Sequence, residues 1–192
     1  MKKHWKKLAL GGGILVVILI VLLVLVIKHL TATPETRRFD DLTFQVSGEF
    51  QYGKLVLGSS SDAVSKQAGT SLVVDQSRAP FPMNGAFYKL DQAYILVGQT
   101  ADVLLDFYDD RLTVVRLSFR LEGTYADWFS QLTEHLQQCY GPAQETLTAL
   151  SPETGIASTG YKWDAENTSL QVVLQQGDSI IPSATISIGL LQ

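Results

Sequence analysis

A run of twenty apolar residues at positions 8–27 constrains this chain more than any other feature of its sequence. The run reads LALGGGILVVILIVLLVLVI and contains no charged residue, side-chain amide or hydroxyl. A helix of this length rises about 30 Å, which matches the hydrocarbon core of a bilayer. Because the run is apolar on every side, it has no polar face with which to lie on a membrane surface. We therefore predict a single transmembrane helix that binds the lipid bilayer through residues 8–27.

The flanks of this run bear on its processing and on its orientation. Residues 1–7 contain four lysines, as the start of a cleaved signal peptide would, but the apolar stretch exceeds the usual 7–15 residues of such peptides. Residues 29–32 (HLTA) are a poor cleavage site, so a retained signal-anchor is favoured over a cleaved leader. Three basic residues, Lys28, Arg37 and Arg38, follow the run, against the four lysines before it, which favours a cytoplasmic N-terminus. We expect a cytoplasmic tip and anchor over 1–30, a linker over 31–38, and a domain over 39–192 outside the cytoplasm.

Charge divides the chain into two unlike parts. Residues 1–30 hold five of the fifteen basic residues and no acidic one, whereas residues 31–192 carry ten basic and nineteen acidic residues, a net charge of −9. An acidic domain repels phosphate backbones and anionic headgroups, so nucleic acid is not expected as a partner. The single cysteine, Cys139, excludes an intrachain disulfide, and a domain of this size buries enough surface to fold without one.

Two segments of the domain have helical patterns. Residues 60–68 begin with serines that can cap a helix and are followed by Gly69, which can adopt the left-handed conformation that ends one. Residues 125–140 place aromatic and aliphatic side chains, with Cys139 among them, on one side of a helix, and Gly141-Pro142 follows. Cys139 is therefore expected to be a buried, protonated thiol.

The remaining segments favour β-strands. Residues 103–108 and 112–121 alternate around Asp109-Asp110 as a hairpin does, and residues 160–164 and 170–174 form a second hairpin pattern. Further strands are predicted over 42–46, 50–57, 71–75, 87–97 and 184–190. The fold class expected is α+β: an antiparallel sheet with two helices packed on one face. Each helix ends at a glycine and precedes a strand and a hairpin, which suggests a helix–strand–hairpin pseudo-repeat.

One segment resembles a known family. Residues 53–69 (GKLVLGSSSDAVSKQAG) combine a glycine, small polar residues and a helix that ends in glycine. Residues 107–112 (FYDDRL) place aromatic residues before an acidic turn and a leucine, and residues 136–142 (LQQCYGP) contain the end of a second helix. These segments resemble the small SmpA/OmlA-like and β-lactamase-inhibitor-like envelope domains. The resemblance covers about a third of the domain, and the lipoprotein cysteine is missing. It implies a non-enzymatic envelope domain that binds other proteins, and it transfers no site residue.

No motif indicates catalysis, a metal or a cofactor. His135 and Cys139 lie one turn apart on the second helix, which makes a Cys–His pair conceivable, but a buried protonated thiol is the stronger interpretation. Asp106, Asp109 and Asp110 lack the spacing and the glycine of a calcium loop, so Asp109-Asp110 is expected to be a solvated turn. We expect no catalytic residue, no metal ligand and no cofactor, and a small-molecule ligand is not expected either.

Three side chains are candidates for binding. Residues 76–85 (QSRAPFPMNG) form a loop that two prolines stiffen, so that it could present Phe81 and Met83 to a partner, although a long connection with Phe81 packed in the core is the favoured interpretation. Trp163, which alternates with charged residues, could stack on sugars of a wall polymer. The function expected is a single-pass, membrane-anchored protein-binding domain of the cell envelope, with another envelope protein as its partner. The alternatives are an envelope enzyme or glycan-binding module that acts on wall polymers, and a ligand sensor that signals through a partner helix.

Overall fold

The computed structural model describes residues 35–78 and 84–191, which form a mostly β-sheet domain with two α-helices. The compact unit begins at Glu35. The helices are α1 (Ser61–Ala68) and α2 (Tyr125–Tyr140). The first strands are β1 (Glu35–Arg37), β2 (Gln45–Val46), β3 (Glu49–Phe50), β4 (Leu72–Val74), β5 (Gly85–Leu90) and β6 (Tyr94–Leu96). The later strands are β7 (Gln99–Tyr108), β8 (Arg111–Arg120), β9 (Glu145–Leu150), β10 (Ala157–Asp164), β11 (Thr168–Gln176) and β12 (Ser183–Leu190).

Ten strands form one sheet, in which the two helices introduce similarly connected sets of strands. Helix α1 precedes β4, β5, β6 and the hairpin β7–β8, and helix α2 precedes β9, β10, β11 and β12. The strands lie in the order β4-β5-β7-β8-β12-β11-β10-β9, with β6 beside the first residues of β7. The two sets meet where β8 and β12 pair, and every pairing on this path is antiparallel. The prediction of a large antiparallel sheet with two helices is therefore confirmed.

Both helices begin and end where the sequence predicts. The Ser60 hydroxyl accepts a hydrogen bond from the Ala63 N–H at 3.4 Å and caps α1, and Gly69 ends the helix at φ 67°. This left-handed conformation costs little only for glycine, which lacks a Cβ. Helix α2 ends at Gly141. Its buried side chains recur at the three- and four-residue spacing of one helix face: Trp128, Phe129, Leu132, Thr133 and Leu136.

The predicted hairpins are also confirmed, and the turn at Asp109-Asp110 has a specific geometry. Both residues have positive φ, 49° and 54°. This combination matches the twist of two antiparallel strands, and aspartate tolerates it because its short side chain can make local hydrogen bonds. Strands β10 and β11 pair in the second predicted hairpin, with Trp163 opposite Leu170. The last strand, β12, alternates as expected, and its alanine and isoleucines are buried.

Several early strands are shorter than the sequence predicts. Over residues 42–57 the described pairings are the short ladder of β2 with β3 and an isolated bridge between Tyr52 and Leu55, where 42–46 and 50–57 are predicted as strands. The chain instead turns at Tyr52, whose carbonyl accepts from the Leu55 N–H at 3.0 Å. The apolar side chains of this segment fill the core rather than alternate along a ladder: Leu42, Phe44, Phe50 and Leu55 are all buried. The predicted strand 87–97 is interrupted at residues 91–93, which separates β5 from β6.

Two strands have no range in the sequence prediction, although the pseudo-repeat implies a short strand after the second helix. Strand β9 is an edge strand in which every residue except Leu147 is exposed, so it has no apolar pattern to reveal it. Strand β1 lies in the predicted linker 31–38, but residues 35–37 pair with β6 instead, and the domain therefore starts earlier than residue 39. In both cases the strand is held by pairing with a neighbour, which a pattern of side chains does not show.

One buried cluster fills the space between the sheet and the helices. Alternate residues of the long strands enter it, including Ala101, Val103, Leu105 and Phe107 of β7. Val64 of α1 and the buried side chains of α2 belong to the same cluster. Trp128 of α2 also donates its indole N–H to the Leu96 carbonyl at 3.1 Å. We call the sheet face that enters this cluster the inner face, and the opposite one the outer face.

The predicted membrane span, residues 8–27, lies outside the described residues. Within residues 35–78 and 84–191, no helix is both long and apolar enough to cross a bilayer. The anchor therefore stays a prediction from the sequence.

Candidate binding face

Of the three predicted binding residues, the structure describes one. Phe81 and Met83 lie within 79–83, outside the described residues. Trp163 lies on the inner face of β10, where it is 0% exposed, and its indole N–H donates to the Gly141 carbonyl at 2.9 Å. The prediction of Trp163 as a ligand-stacking residue is therefore wrong, because a side chain that packs in the core and joins β10 to the end of α2 presents no ring surface. Trp128 is buried as well, so neither ring offers the platform that a glycan-binding module would need.

Cys139 differs from the sequence prediction in being exposed. Its Sγ lies 3.4 Å from His135 Nε2, and His135 Nδ1 lies 3.9 Å from the Asp40 carboxylate. Partial desolvation raises the pKa of the Cys139 thiol, and the negative charge of Asp40 raises it further. The thiol therefore stays protonated at neutral pH, which is the opposite of what a nucleophilic cysteine needs.

The acidic residues of the first hairpin turn have structural partners. The Asp110 carboxylate accepts a hydrogen bond from the Ser61 N–H at 3.1 Å. The pKa of Asp110 is lowered by the Ser61 side chain in the first place and by this backbone N–H in the second. The Asp109 carboxylate accepts from the Asn84 side-chain amide at 2.6 Å. These contacts attach the turn to the start of α1 and to β5. Within the described parts of the chain, no group of three or more His, Cys, Asp or Glu residues is placed to hold a metal ion.

The outer face of the sheet is a broad surface on which small and long polar side chains lie in separate strips. Its central strand, β12, presents only small residues there, because its larger side chains point inward. The residues of the outer face of β12 are Ser183, Thr185, Ser187 and Gly189. Long polar side chains flank this strip in register: Arg116 of β8 is opposite Ser187, Ser187 is opposite Gln171 of β11, and Gln171 is opposite Lys162 of β10. The floor of small residues leaves a recess of about 480 Å³ between the flanks.

A second recess, of about 580 Å³, adjoins the first and has mainly apolar walls. The two recesses share their boundary, which is formed by Val114, Arg116, Leu190 and Leu191. The second recess is lined in addition by Arg78, Phe87, Asp106 and Tyr108. We call the two recesses together the sheet-face groove; it runs across the strands from Arg78 to Lys162. Three strand spacings, about 14 Å, separate Arg116 from Lys162.

Two arginines converge on one buried carboxylate inside this groove. Asp106 lies on the outer face of β7 with its side chain 11% exposed, and it forms ion pairs with both Arg78 and Arg116. Arg78 approaches with two nitrogens, and its guanidinium carbon lies 3.8 Å from the centre of the Phe87 ring. The buried charge of Asp106 is thus compensated, as a carboxylate in the interior must be. At the other end of the groove, Lys162 pairs with Asp164 at 3.2 Å and Glu145 at 4.0 Å.

A third recess of about 820 Å³ lies near the opposite ends of β7, β8 and β12. Its lining includes Asp102, Arg120 and Glu122, together with Ile181, which is 58% exposed. The recess is more polar than the apolar end of the sheet-face groove. It lies on the same outer face as the sheet-face groove, further along the strand direction.

The arginine–aspartate cluster is not predicted as a site from the sequence. Arg78 is 28 residues from Asp106, so no local pattern links them. One signal was present: Asp106 interrupts an otherwise apolar strand, and an unmatched charge at such a position requires a partner from elsewhere in the fold.

Comparisons of this chain with protein-family models, with curated proteins and with solved structures found no match.

Proposed function

We propose that this protein is a non-enzymatic, membrane-anchored domain of the cell envelope that binds a partner protein outside the cytoplasm through the outer face of its sheet. The anchor is the apolar run at residues 8–27. The observation that carries the proposal is the sheet-face groove, in which small, polar, apolar and cationic side chains lie next to one another on an irregular surface.

The connectivity of the domain supports the proposal in a second way. Each helix is followed by strands that run antiparallel across the sheet, and the two sets join through β8 and β12. We interpret this as the pseudo-repeat suggested by the sequence, with both helices packed on the inner face. In that arrangement the helices fill one side of the sheet and leave the other side for a partner.

The exposed apolar residues around the apolar recess are the part of the surface that best fits protein binding. Leu190 and Leu191 are 41% and 37% exposed, and Tyr108 is 55% exposed. They lie together around the apolar recess. Apolar patches that are bordered by charged groups favour protein association, because burial of the apolar centre supplies free energy and the charged border gives specificity.

Site-specific photo-cross-linking in intact cells tests the proposal. A photoreactive amino acid is introduced at Gln171 or Thr185 on the outer face, and at Gln131 or Glu134 on the exposed side of α2 as matched controls. We expect a discrete adduct with a second protein from the outer-face positions and none from the helix positions. Adducts of equal yield from both sets, or none from the outer face, would contradict the proposal.

The proposed orientation has its own test in the single, exposed cysteine. A membrane-impermeant maleimide applied to intact cells is expected to label Cys139, with the C139S variant as the control. Labelling that appears only after the membrane is disrupted would place the domain in the cytoplasm and refute the extracytoplasmic location.

A further inference from the structure

We propose that Arg116 and the apolar recess beside it form an anchor site for a carboxylate that carries an adjacent apolar group. This inference rests on the proposed function, in which the partner protein presents such a group to the sheet-face groove. It names the chemistry that the partner must have: an acidic side chain or a chain terminus next to an aromatic or aliphatic residue.

The donors of Arg116 exceed what Asp106 can accept. Arginine has five N–H groups, and the ion pair of Arg116 with Asp106 is made through Nη1 and one carboxylate oxygen. Asp106 is also engaged by two nitrogens of Arg78, so its carboxylate is shared. Among the described residues, no other carboxylate lies within ion-pair distance of Arg116, and no buried side-chain nitrogen lacks a partner. The remaining donors of Arg116 therefore face the solvent of the groove, where an incoming carboxylate can accept from them.

The acids near the two arginines are unevenly distributed. Arg78 and Arg116 share one carboxylate within ion-pair distance, Asp106. A further acid, Asp75, lies near Arg78 and is itself held by the Ser77 hydroxyl at 2.6 Å. Of the two arginines, Arg78 therefore has a second acid nearby, whereas Arg116 has Asp106 as its ion-pair partner among the described residues. Lys89 pairs with Asp102 at 2.7 Å, so it does not compete for the same ligand.

The side chain of Arg116 is ordered before any ligand binds. The Arg116 side chain is 30% exposed, and the buried carboxylate of Asp106 holds it in place. Arg78 is held by the same carboxylate and by stacking on Phe87. A guanidinium that is already ordered loses little conformational entropy when it binds a carboxylate in the two-pronged geometry that arginine favours. Arg120, four residues further along the same strand, is exposed and has no ion-pair partner among the described residues, so water solvates its charge.

The walls of the recess beside Arg116 are mainly apolar. Tyr108, Leu190 and Leu191 surround the site and are all substantially exposed. The recess volume, about 580 Å³, is that of a pocket that holds a small organic group. A ligand with a charge alone would leave these walls in water, and an apolar ligand alone would leave the Arg116 donors unused. The site therefore selects a ligand that has both.

The binding test uses small probes and the full-length protein in detergent micelles. The chain has six arginines, so ¹⁵N-arginine labelling gives a simple spectrum of side-chain Nε–H signals. The signals of Arg116 and Arg120 are assigned by their absence from the spectra of R116Q and R120Q. The probe is 3-phenylpropanoate, and its uncharged analogue is 3-phenylpropanamide. We expect a saturable shift of the Arg116 signal with an affinity of about millimolar, as is typical of a fragment of this size, and no shift with the amide.

Variants separate the site from a general effect of charge. Because R116Q and R116K lack the Arg116 signal, binding to every variant is followed on the NMR signals of the probe itself. R116Q is expected to weaken binding of 3-phenylpropanoate about tenfold or more, R116K to weaken it less, and R120Q to leave it unchanged. N-acetylphenylalanine and the amide of N-acetylglutamylphenylalanine then distinguish a chain terminus from an acidic side chain as the source of the carboxylate. Absence of saturable binding, equal binding of the amide, or unchanged binding by R116Q would each overturn the inference.

The outcome is distinguishable from that of the proposed function. Outer-face cross-links without probe binding would retain the partner protein and remove the carboxylate anchor. Probe binding without cross-links would retain the anchor site and remove the partner protein as its source.

Discussion

Gly160 in β10 occupies a position where the sheet leaves no room for a side chain, which gives a sharp prediction. A Cβ added there would lie 2.4 Å from the Val172 carbonyl oxygen and 3.1 Å from the Val173 Cα, both in the backbone of β11. Backbone atoms cannot rotate away as a side chain can, so G160A has to push β10 and β11 apart by about an ångström. Such overpacking costs about 1–3 kcal/mol, and a weakened ladder hydrogen bond adds about 1 kcal/mol.

We therefore expect G160A to lower the free energy of unfolding by about 3 kcal/mol, which lowers the melting temperature of a domain of this size by about 6–12 °C. The measurement is thermal unfolding of the full-length protein in detergent, followed by circular dichroism. The matched control is G189A in β12, where the added Cβ would lie 3.5 Å from the nearest atom, a Val114 methyl, in ordinary contact. G189A should melt at or slightly above the wild-type temperature, because alanine restricts the unfolded chain. If G160A melts within about 2 °C of wild type, the close approach of β10 and β11 is refuted, and with it the register that places Lys162 opposite Gln171.

Three further predictions follow from individual contacts. Hydrogen bonds lower the pKa values of Glu49, Asp75 and Asp110, so the folded state binds protons less tightly than the unfolded state. The free energy of unfolding should therefore be steady above about pH 5 and fall as the pH drops below about 4. Urea unfolding at a series of pH values measures this dependence, which E49Q should reduce. W163F removes the indole N–H that donates to the Gly141 carbonyl, so it should lower the free energy of unfolding by about 2–3 kcal/mol. Cross-linking from the outer-face positions should be unchanged. Loss of the cross-link in a fully folded W163F protein would restore Trp163 as a binding residue. Because desolvation raises the pKa of Cys139, its rate of reaction with a maleimide should keep rising at pH values where an ordinary thiol is already ionised, and a plateau at the ordinary pKa would contradict this.

The elements that the sequence predicted well are those with local signals. Ser60 and Gly69 mark the two ends of α1, and the apolar spacing within Tyr125–Tyr140 marks α2. The hairpin at Asp109-Asp110 shows both the alternation of its strands and the residues that its turn requires. In each case the chain segment itself contains the residues that define the structure, so no knowledge of distant contacts is needed.

The errors arose where pairing or packing partners are distant in sequence. Strand β9 is held by β10 and exposes almost every side chain, so it shows no pattern. Trp163 alternates with charged residues, as an exposed residue could, but the position of α2 decides that its face is the buried one. Cys139 lies at the margin of the apolar side of α2, and the packing of that helix leaves it exposed.

The sequence by itself determined the apolar run at 8–27, the acidic character of the rest, both helices and the two main hairpins, because these depend on composition and on patterns within one segment. Only the tertiary structure decided which face of the sheet is covered and which charged groups meet. Arg78, Asp106 and Arg116 come from a loop and two strands, and they form one cluster because β5, β7 and β8 lie side by side in register. A buried carboxylate must find its cations somewhere in the fold, but the sheet topology alone selects them and leaves the donors of Arg116 directed into the groove.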